Sequence, residues 1–173
     1  MTEQRRILGI DPGSRFTGFG VLDFAGDTPT YVASGTIKSP DGAFPDRLKK
    51  IFISVNEIVG QYRPDIVAIE SVFMARNAGS ALKLGHARSA ALCATFAFDV
   101  EVVEYAPREI KLAVVGTGSA TKEQVQHMVM ALLQLDGTPA ADAADALAAA
   151  ICHGHQRRMQ ARLSNEDVIA SLR

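Results

Sequence analysis

Four acidic residues stand where apolar segments of this chain end. Asp11 closes Ile-Leu-Gly-Ile-Asp, Glu70 closes Ile-Val-Ala-Ile-Glu, and Asp142 and Asp145 interrupt Ala-Ala-Asp-Ala-Ala-Asp-Ala-Leu-Ala. Charge embedded in core-forming sequence needs compensation, so the fold must either expose each acid separately or gather them around a cation. Three of the acids have ordinary explanations. Asp11-Pro-Gly suits a turn, Glu70 can reach solvent from a strand end, and Asp142 in a first helical turn favours the helix dipole. Asp145 has none: it is a poor helix former in mid-helix, three residues from a like charge on the same face. The flanking alanines let this helix lie close against a sheet, which would carry both of its acids toward Asp11 and Glu70. Taken together the four positions predict a metal site.

The order of elements agrees with that arrangement. Residues 6–11 are short, β-branched and apolar, 15–24 alternate and carry glycines, and 31–38 alternate again, with turns at Pro12-Gly13 and Gly26-Asp27; this is an antiparallel meander. Leu48, Ile51, Phe52, Val55, Ile58, Val59 and Tyr62 recur at helical spacing until Pro64 stops the pattern. Residues 64–70 form an apolar run without alternation, which predicts a central strand covered on both faces. A helix over 80–98, a strand over 101–105 and a short helix over 107–114 follow. Thr121-Lys-Glu-Gln124 is a capping box opening a helix to Leu133, and Thr138-Pro139 is expected to open the last long helix. The fold class is therefore α/β: a five-stranded mixed sheet, three antiparallel strands and then two parallel ones, with helices on both faces. Asp11 and Glu70 then stand at the carboxyl ends of adjacent parallel strands, where open α/β sheets place their chemistry.

A chain of 173 residues, 47% apolar and 21% charged, fits one domain, read here as 1–158 with a flexible tail over 159–173. It has neither a bilayer-length apolar run nor a basic-then-apolar leader. Cys93 and Cys152 show no framework spacing, which suits reduced thiols in the cytoplasm. The net charge of −1 does not exclude a nucleic-acid partner, because metal-covered carboxylates would leave the remaining surface net basic.

Oxygen-only ligands favour Mg²⁺, with Mn²⁺ able to substitute, over zinc; Cys152-His153-Gly-His155 lacks the spacing and second ligand pair of a structural zinc site. Four carboxylates suit two ions about 4 Å apart that promote attack of water on a phosphodiester. The loop Gly116-Thr117-Gly118-Ser-Ala-Thr-Lys122 offers backbone N–H groups ahead of a helix N-terminus together with a lysine, a phosphate cradle if it is more than a plain glycine loop. Lys111 lies upstream of it, while Arg76, Lys83 and Arg88 lie along the helix after Glu70 and are either DNA contacts or solvated charges.

Several segments together carry a resemblance: Ile-Leu-Gly-Ile-Asp-Pro-Gly-Ser-Arg-Phe-Thr-Gly-Phe-Gly, Ala-Ile-Glu-Ser-Val-Phe-Met-Ala-Arg-Asn-Ala, Ser-Ala-Leu-Lys-Leu-Gly, Val-Val-Gly-Thr-Gly-Ser-Ala-Thr-Lys-Glu-Gln-Val-Gln-His-Met and Ala-Asp-Ala-Ala-Asp-Ala-Leu-Ala. Over residues 6–155 the chain resembles the RuvC family of bacterial Holliday-junction resolvases. That resemblance implies an RNase H-like fold, a homodimer, and paired nicks in a four-way DNA junction received from the RuvA and RuvB branch-migration proteins. It implies catalytic and metal-binding roles for Asp11, Glu70, Asp142 and Asp145, assistance from Lys111 and Lys122, and stacking of Phe73 on an unpaired base. The helix over 80–98, with Ala81, Leu82, Leu84, Ala87, Ala90, Ala91 and Ala94, has more apolar surface than one sheet face needs and is the expected dimer contact. Alternatives remain: an actin-like nucleotide-binding relative, which would need a second paired domain; the same fold acting on an RNA:DNA hybrid; and a junction-binding scaffold without catalysis.

Overall fold

The computed structural model describes the backbone of residues 4–71 and 77–171, with side chains as far as residue 159. Its elements run β1 (Gln4–Asp11), β2 (Phe16–Ala25), β3 (Thr28–Lys38), α1 (Phe44–Tyr62), β4 (Ile66–Glu70), α2 (Ala78–Cys93), β5 (Glu101–Tyr105), α3 (Pro107–Val115), α4 (Lys122–Leu133) and α5 (Ala141–Ser171). The sheet has five strands in the order β3-β2-β1-β4-β5. The hairpin strands β1, β2 and β3 pair antiparallel, and β4 and β5, each reached through a helix, run parallel to β1.

Alternation along the central strands divides the core into two layers. Leu8, Ile10, Val67 and Ile69 point to one face, where α1 and α2 cover them with Ile51, Val55, Val59, Ala87 and Ala91. Ile7 and Ala68 point to the other, under α3, α4 and α5 with Ile110, Val114, Val125, Val129, Leu147 and Ile151. The period of two then fixes the two strand-end acids: Asp11 shares parity with Ile7, and Glu70 with Ala68, so both belong to the α5 face. The β1–β4 register pairs Ile10 with Ile69, which sets Asp11 and Glu70 abreast one residue further on.

α5 approaches that face more closely than ordinary side chains allow. A Cβ on Gly9 would lie 1.9 Å from the Ala146 carbonyl oxygen, one on Gly18 would lie 1.8 Å from the Asp142 carbonyl oxygen, and one on Gly20 would lie 2.6 Å from Leu147 Cδ2. Gly9, Gly18 and Gly20 share the face of Ile7 and Leu22 through the β1–β2 register. They form a track on which the helix backbone rests, and Ala143, Ala146 and Ala150 meet it with the smallest side chains that keep a helix.

Three boundaries depart from the sequence expectation. α2 ends at Cys93, not 98, because the Thr95 hydroxyl donates to the Leu92 carbonyl (2.8 Å) and the chain winds into turns. α5 begins at Ala141, not Pro139: the Pro139 carbonyl accepts from the Gln126 side-chain amide (2.7 Å), and the helix opens with Ala144 N–H donating to Ala140 (2.9 Å). The segment expected as a tail from 159 continues helically to Ser171. The capping box at α4 forms as expected, with Thr121 N–H donating to Gln124 Oε1 (2.9 Å) and Gln124 N–H donating to Thr121 Oγ1 (3.3 Å).

Gly9→Ala should therefore destabilise the protein by about 1–3 kcal/mol, since the added methyl must push α5 off the sheet. Chemical denaturation read by far-ultraviolet circular dichroism checks this; an unchanged midpoint would mean that the helix does not rest on the strand.

Candidate active site

The acids occupy the carboxyl end of the sheet. Asp11 closes β1 and pairs in register with Gly18, and Gly18 lies directly beneath the Asp142 carbonyl, so the first turn of α5 sits over the end of β1. Asp145 follows almost one turn later on the same helix face. Asp11, Glu70, Asp142 and Asp145 are all half-buried.

The turn that leaves Asp11 is held from below by Thr17, which is fully buried. Its hydroxyl donates to the Gly13 carbonyl (2.9 Å) and accepts from Gly13 N–H (3.3 Å), tying the loop after β1 to the start of β2. On the other side Gln126 holds the Pro139 carbonyl, two residues before α5 begins. Neither residue was singled out from the sequence. Thr17 carries a signal in retrospect, a β-branched polar residue in the apolar, glycine-rich first half of β2; Gln126 looks like any polar helix residue.

Electrostatics mark the site. Burial, then the charges of Glu70 and Asp145, push the Asp11 carboxyl up to about 8, with Asp142 adding to the effect and Lys122 opposing it. Burial and Asp145 push Glu70 up to about 7, opposed by Lys122 and Lys111. Lys122 Nζ bonds Asp145 Oδ2 at 3.0 Å, and that contact raises the ammonium above its ordinary value. Among the described residues no three His, Cys, Asp or Glu side chains are drawn tightly enough together to enclose one ion as they stand. The four acids instead stand at the same end of the sheet, with Lys122 bonded to one of them, Asp145. An all-oxygen donor set, in which burial and neighbouring acids hold protons on Asp11 and Glu70, fits a hard divalent cation, and Lys122 brings positive charge to it.

The remaining sequence candidates divide. Lys111 on α3 acts on Glu70 and so faces the site. Thr117 and Gly118 lie in the loop between α3 and α4, with Gly116 in the left-handed conformation (φ 88°) and the Thr117 and Ser119 hydroxyls 3.0 Å apart. Lys83 is exposed on α2. Arg88 pairs with Glu104 on β5 and is mostly covered, which makes it a tie between α2 and the sheet edge and corrects its candidacy as a free DNA contact. Phe73 and Arg76 lie outside the described residues. Of the α2 residues expected at a dimer contact, Ala87, Ala91 and Ala94 are buried within the protein's own core, and Leu82 is exposed. His153 Nδ1 meets the Tyr105 hydroxyl (2.8 Å) and His155 Nδ1 meets the Ala113 carbonyl oxygen (3.1 Å), so the histidines of the Cys-His-Gly-His run are engaged separately.

A mixed sheet of this order, with acids ending its central parallel strands and lining the helix across them, defines a resolvase-type nuclease of the RNase H-like class. The family model described as crossover junction endodeoxyribonuclease RuvC matches residues 7–153. The crossover junction endodeoxyribonuclease RuvC of Alkalilimnicola ehrlichii is 56% identical over 158 residues, 91% of this chain and 96% of that protein. That of Shewanella sediminis is 58% identical over 149 residues, 86% of each chain. The solved structure of Thermus thermophilus RuvC in complex with Holliday junction substrate superposes with a TM-score of 0.83 at 35% identity, covering 90% of this chain and 96% of that one. A yeast mitochondrial Holliday junction resolvase shares the fold, with a TM-score of 0.67 at 13% identity over 97% of this chain and 86% of that one. The chain belongs to the RuvC family of crossover junction endodeoxyribonucleases. Nucleases of this family are metal-dependent.

The raised carboxyl values have a testable consequence. Asp11 and Glu70 have folded-state values near 8 and 7 against unfolded values of 3.8 and 4.5, so between these limits the folded state binds more protons than the unfolded one. Metal-free protein should therefore lose stability as pH rises through this window. Asp11→Asn should remove much of the slope and raise the metal-free melting temperature at pH 8. Scanning calorimetry at pH 5 and pH 8 with chelator checks both statements; a wild-type melting temperature that rises with pH would contradict them.

Proposed function

We propose that this chain resolves four-way DNA junctions as a homodimer in the cytoplasm, in recombination and repair, cutting two opposed strands symmetrically by metal-assisted hydrolysis. The observation that carries this is the gathering of Asp11, Glu70, Asp142 and Asp145 at one end of the sheet in a RuvC-family chain. The Thermus relative, solved with a Holliday junction, supports the substrate.

Two Mg²⁺ ions, replaceable by Mn²⁺, would be held by Asp11, Glu70, Asp142 and Asp145 and would supply activation of the attacking water and charge relief at the departing oxygen. The chain's own residues do the rest. Asp11 and Glu70, fixed by strand register, define one wall of the site, and Asp142 and Asp145, fixed by the glycine track, define the other. Lys122 and Lys111 bring positive charge to the edge where the scissile phosphate arrives, and Lys122 must release Asp145 when the ions enter. The loop at Thr117 and Gly118 offers N–H groups to a neighbouring phosphate. Phe73 stacks on an unpaired base, and Arg76 and Lys83 extend the DNA contact. A two-fold dimer places one carboxylate set near each of two equivalent strands, which gives paired nicks without a further device. The part of α2 left uncovered around Leu82 is the contact between copies. RuvA and RuvB deliver the junction.

Single changes of Asp11, Glu70 or Asp142 to the amide should lower cleavage more than the roughly 100-fold typical of losing a metal site's supporting residues, with junction affinity largely kept. Lys122→Ala and Lys111→Ala should slow cleavage less. The deciding assay compares four-way junction, linear duplex and RNA:DNA hybrid under Mg²⁺. Two ligatable nicked duplexes from the junction alone support the proposal; equal or faster cleavage of the hybrid, or an active species that sediments as a monomer, would overturn it.

A further inference from the structure

Arg108 stands on the exposed side of α3, one turn before Lys111. Its side chain crosses the α3–α4 loop at a glycine: a Cβ on Gly118 would lie 2.5 Å from Arg108 Cγ and 3.0 Å from Arg108 Nε. The aliphatic stem is thus seated in the space that Gly118 leaves open. Among the described residues no carboxylate pairs with its guanidinium and no hydrogen bond engages it. Three other cations at this end of the sheet already serve the protein's own acids: Lys122 bonds Asp145, Arg88 pairs with Glu104, and Lys111 acts on Glu70. The cations that oppose the acids at Asp11 and Glu70 are Lys122 and Lys111, while Arg108 stays exposed on α3.

A long flexible cation held in one place over a loop, with its five donors unused, has already lost part of the side-chain entropy that binding would otherwise cost. Beside it lie the N–H groups of Thr117 and Gly118, those of Gly116, Ser119, Ala120 and Thr121 being taken up within the chain, and the N-terminus of α4, which favours an anion.

We infer that Arg108, seated across Gly118, is a phosphate-binding residue that grips the DNA backbone beside the scissile phosphate. This rests on the nuclease reading given above and extends it to a residue and to the reason for a glycine. The bond is a charge-assisted contact to phosphate oxygen, sequence-independent, and it fixes strand register over the site rather than taking part in bond breaking. Gly118 then has a stated purpose: any side chain there displaces the arginine.

The test uses Glu70→Gln protein, so that binding is measured without cleavage, on a four-way junction over a series of salt concentrations. Arg108→Ala should weaken binding about 3–10-fold and flatten the dependence of log K on log salt by about one unit. Arg108→Lys should keep the slope while losing part of the affinity, since the charge remains and the fork does not. Gly118→Ala should reproduce the Arg108→Ala loss, and the double variant should be no weaker than Arg108→Ala alone, because both changes remove one contact. An unchanged slope in Arg108→Ala would overturn the assignment. Additive losses in the double variant would overturn the role given to Gly118. A parent protein that binds junction no better than linear duplex would count against the junction reading, and the salt slope on duplex would still decide for or against Arg108.

Discussion

The closeness of α5 to the sheet is the constraint on which the rest of the structure depends. Two acids come from strand ends and two from a helix, and strand register alone sets only the first pair. The second pair reaches them because Gly9, Gly18 and Gly20 remove the side chains that would hold a helix at its ordinary distance, and because alanines on α5 do the same from above. The contact is made backbone to backbone, and a shift of one methyl would be felt at Asp142. Thr17 and Gln126 complete the positioning from either side, one tying down the turn after Asp11 and the other the loop before α5.

That arrangement puts like charges where a folded protein would otherwise avoid them. Asp11 and Glu70 hold protons well above the usual carboxylate range, and burial is the larger cause in both. The strain is partly relieved by Lys122, whose contact with Asp145 gives the cluster one cation of its own. A site of this kind exchanges stability for function: neutralising an acid should steady the fold and, on the reading proposed here, would remove a metal ligand. On the same reading the lysine would give up Asp145 to a divalent ion and turn to the phosphate, as its flexible stem allows.

Much of this was legible in the residues. β5 lies over 101–105 as its pattern predicts, the α4 capping box forms, and the unbroken apolar run before Glu70 is an inner strand with Val67 and Ile69 buried on one face and Ala68 on the other. The acids stood out because charge in apolar sequence is conspicuous, and Asp145 most of all because mid-helix aspartate has no local excuse. What escaped notice was set by tertiary contacts that leave little trace in one dimension. The alanines of α2 read as a free apolar face, yet Ala87, Ala91 and Ala94 are consumed by packing within the fold. Arg88 read as a possible DNA contact until Glu104 was placed beside it by the sheet. Thr138-Pro139 has the chemistry of a helix start, but Gln126, from another helix, takes the proline carbonyl and the helix opens later. Gly118 reads as part of a phosphate cradle, and the path of Arg108 adds a second use for it.

The most direct measurement is anomalous diffraction from crystals of the metal-free protein soaked in Mn²⁺. If the glycine track brings α5 into place as described, manganese density appears at the carboxyl end of β1 and β4, bounded by oxygens of Asp11, Glu70 and the first turns of α5, with Lys122 withdrawn from Asp145. Density confined to other carboxylates, or a site ligated by Asp11 and Glu70 with α5 too distant to take part, would contradict the account.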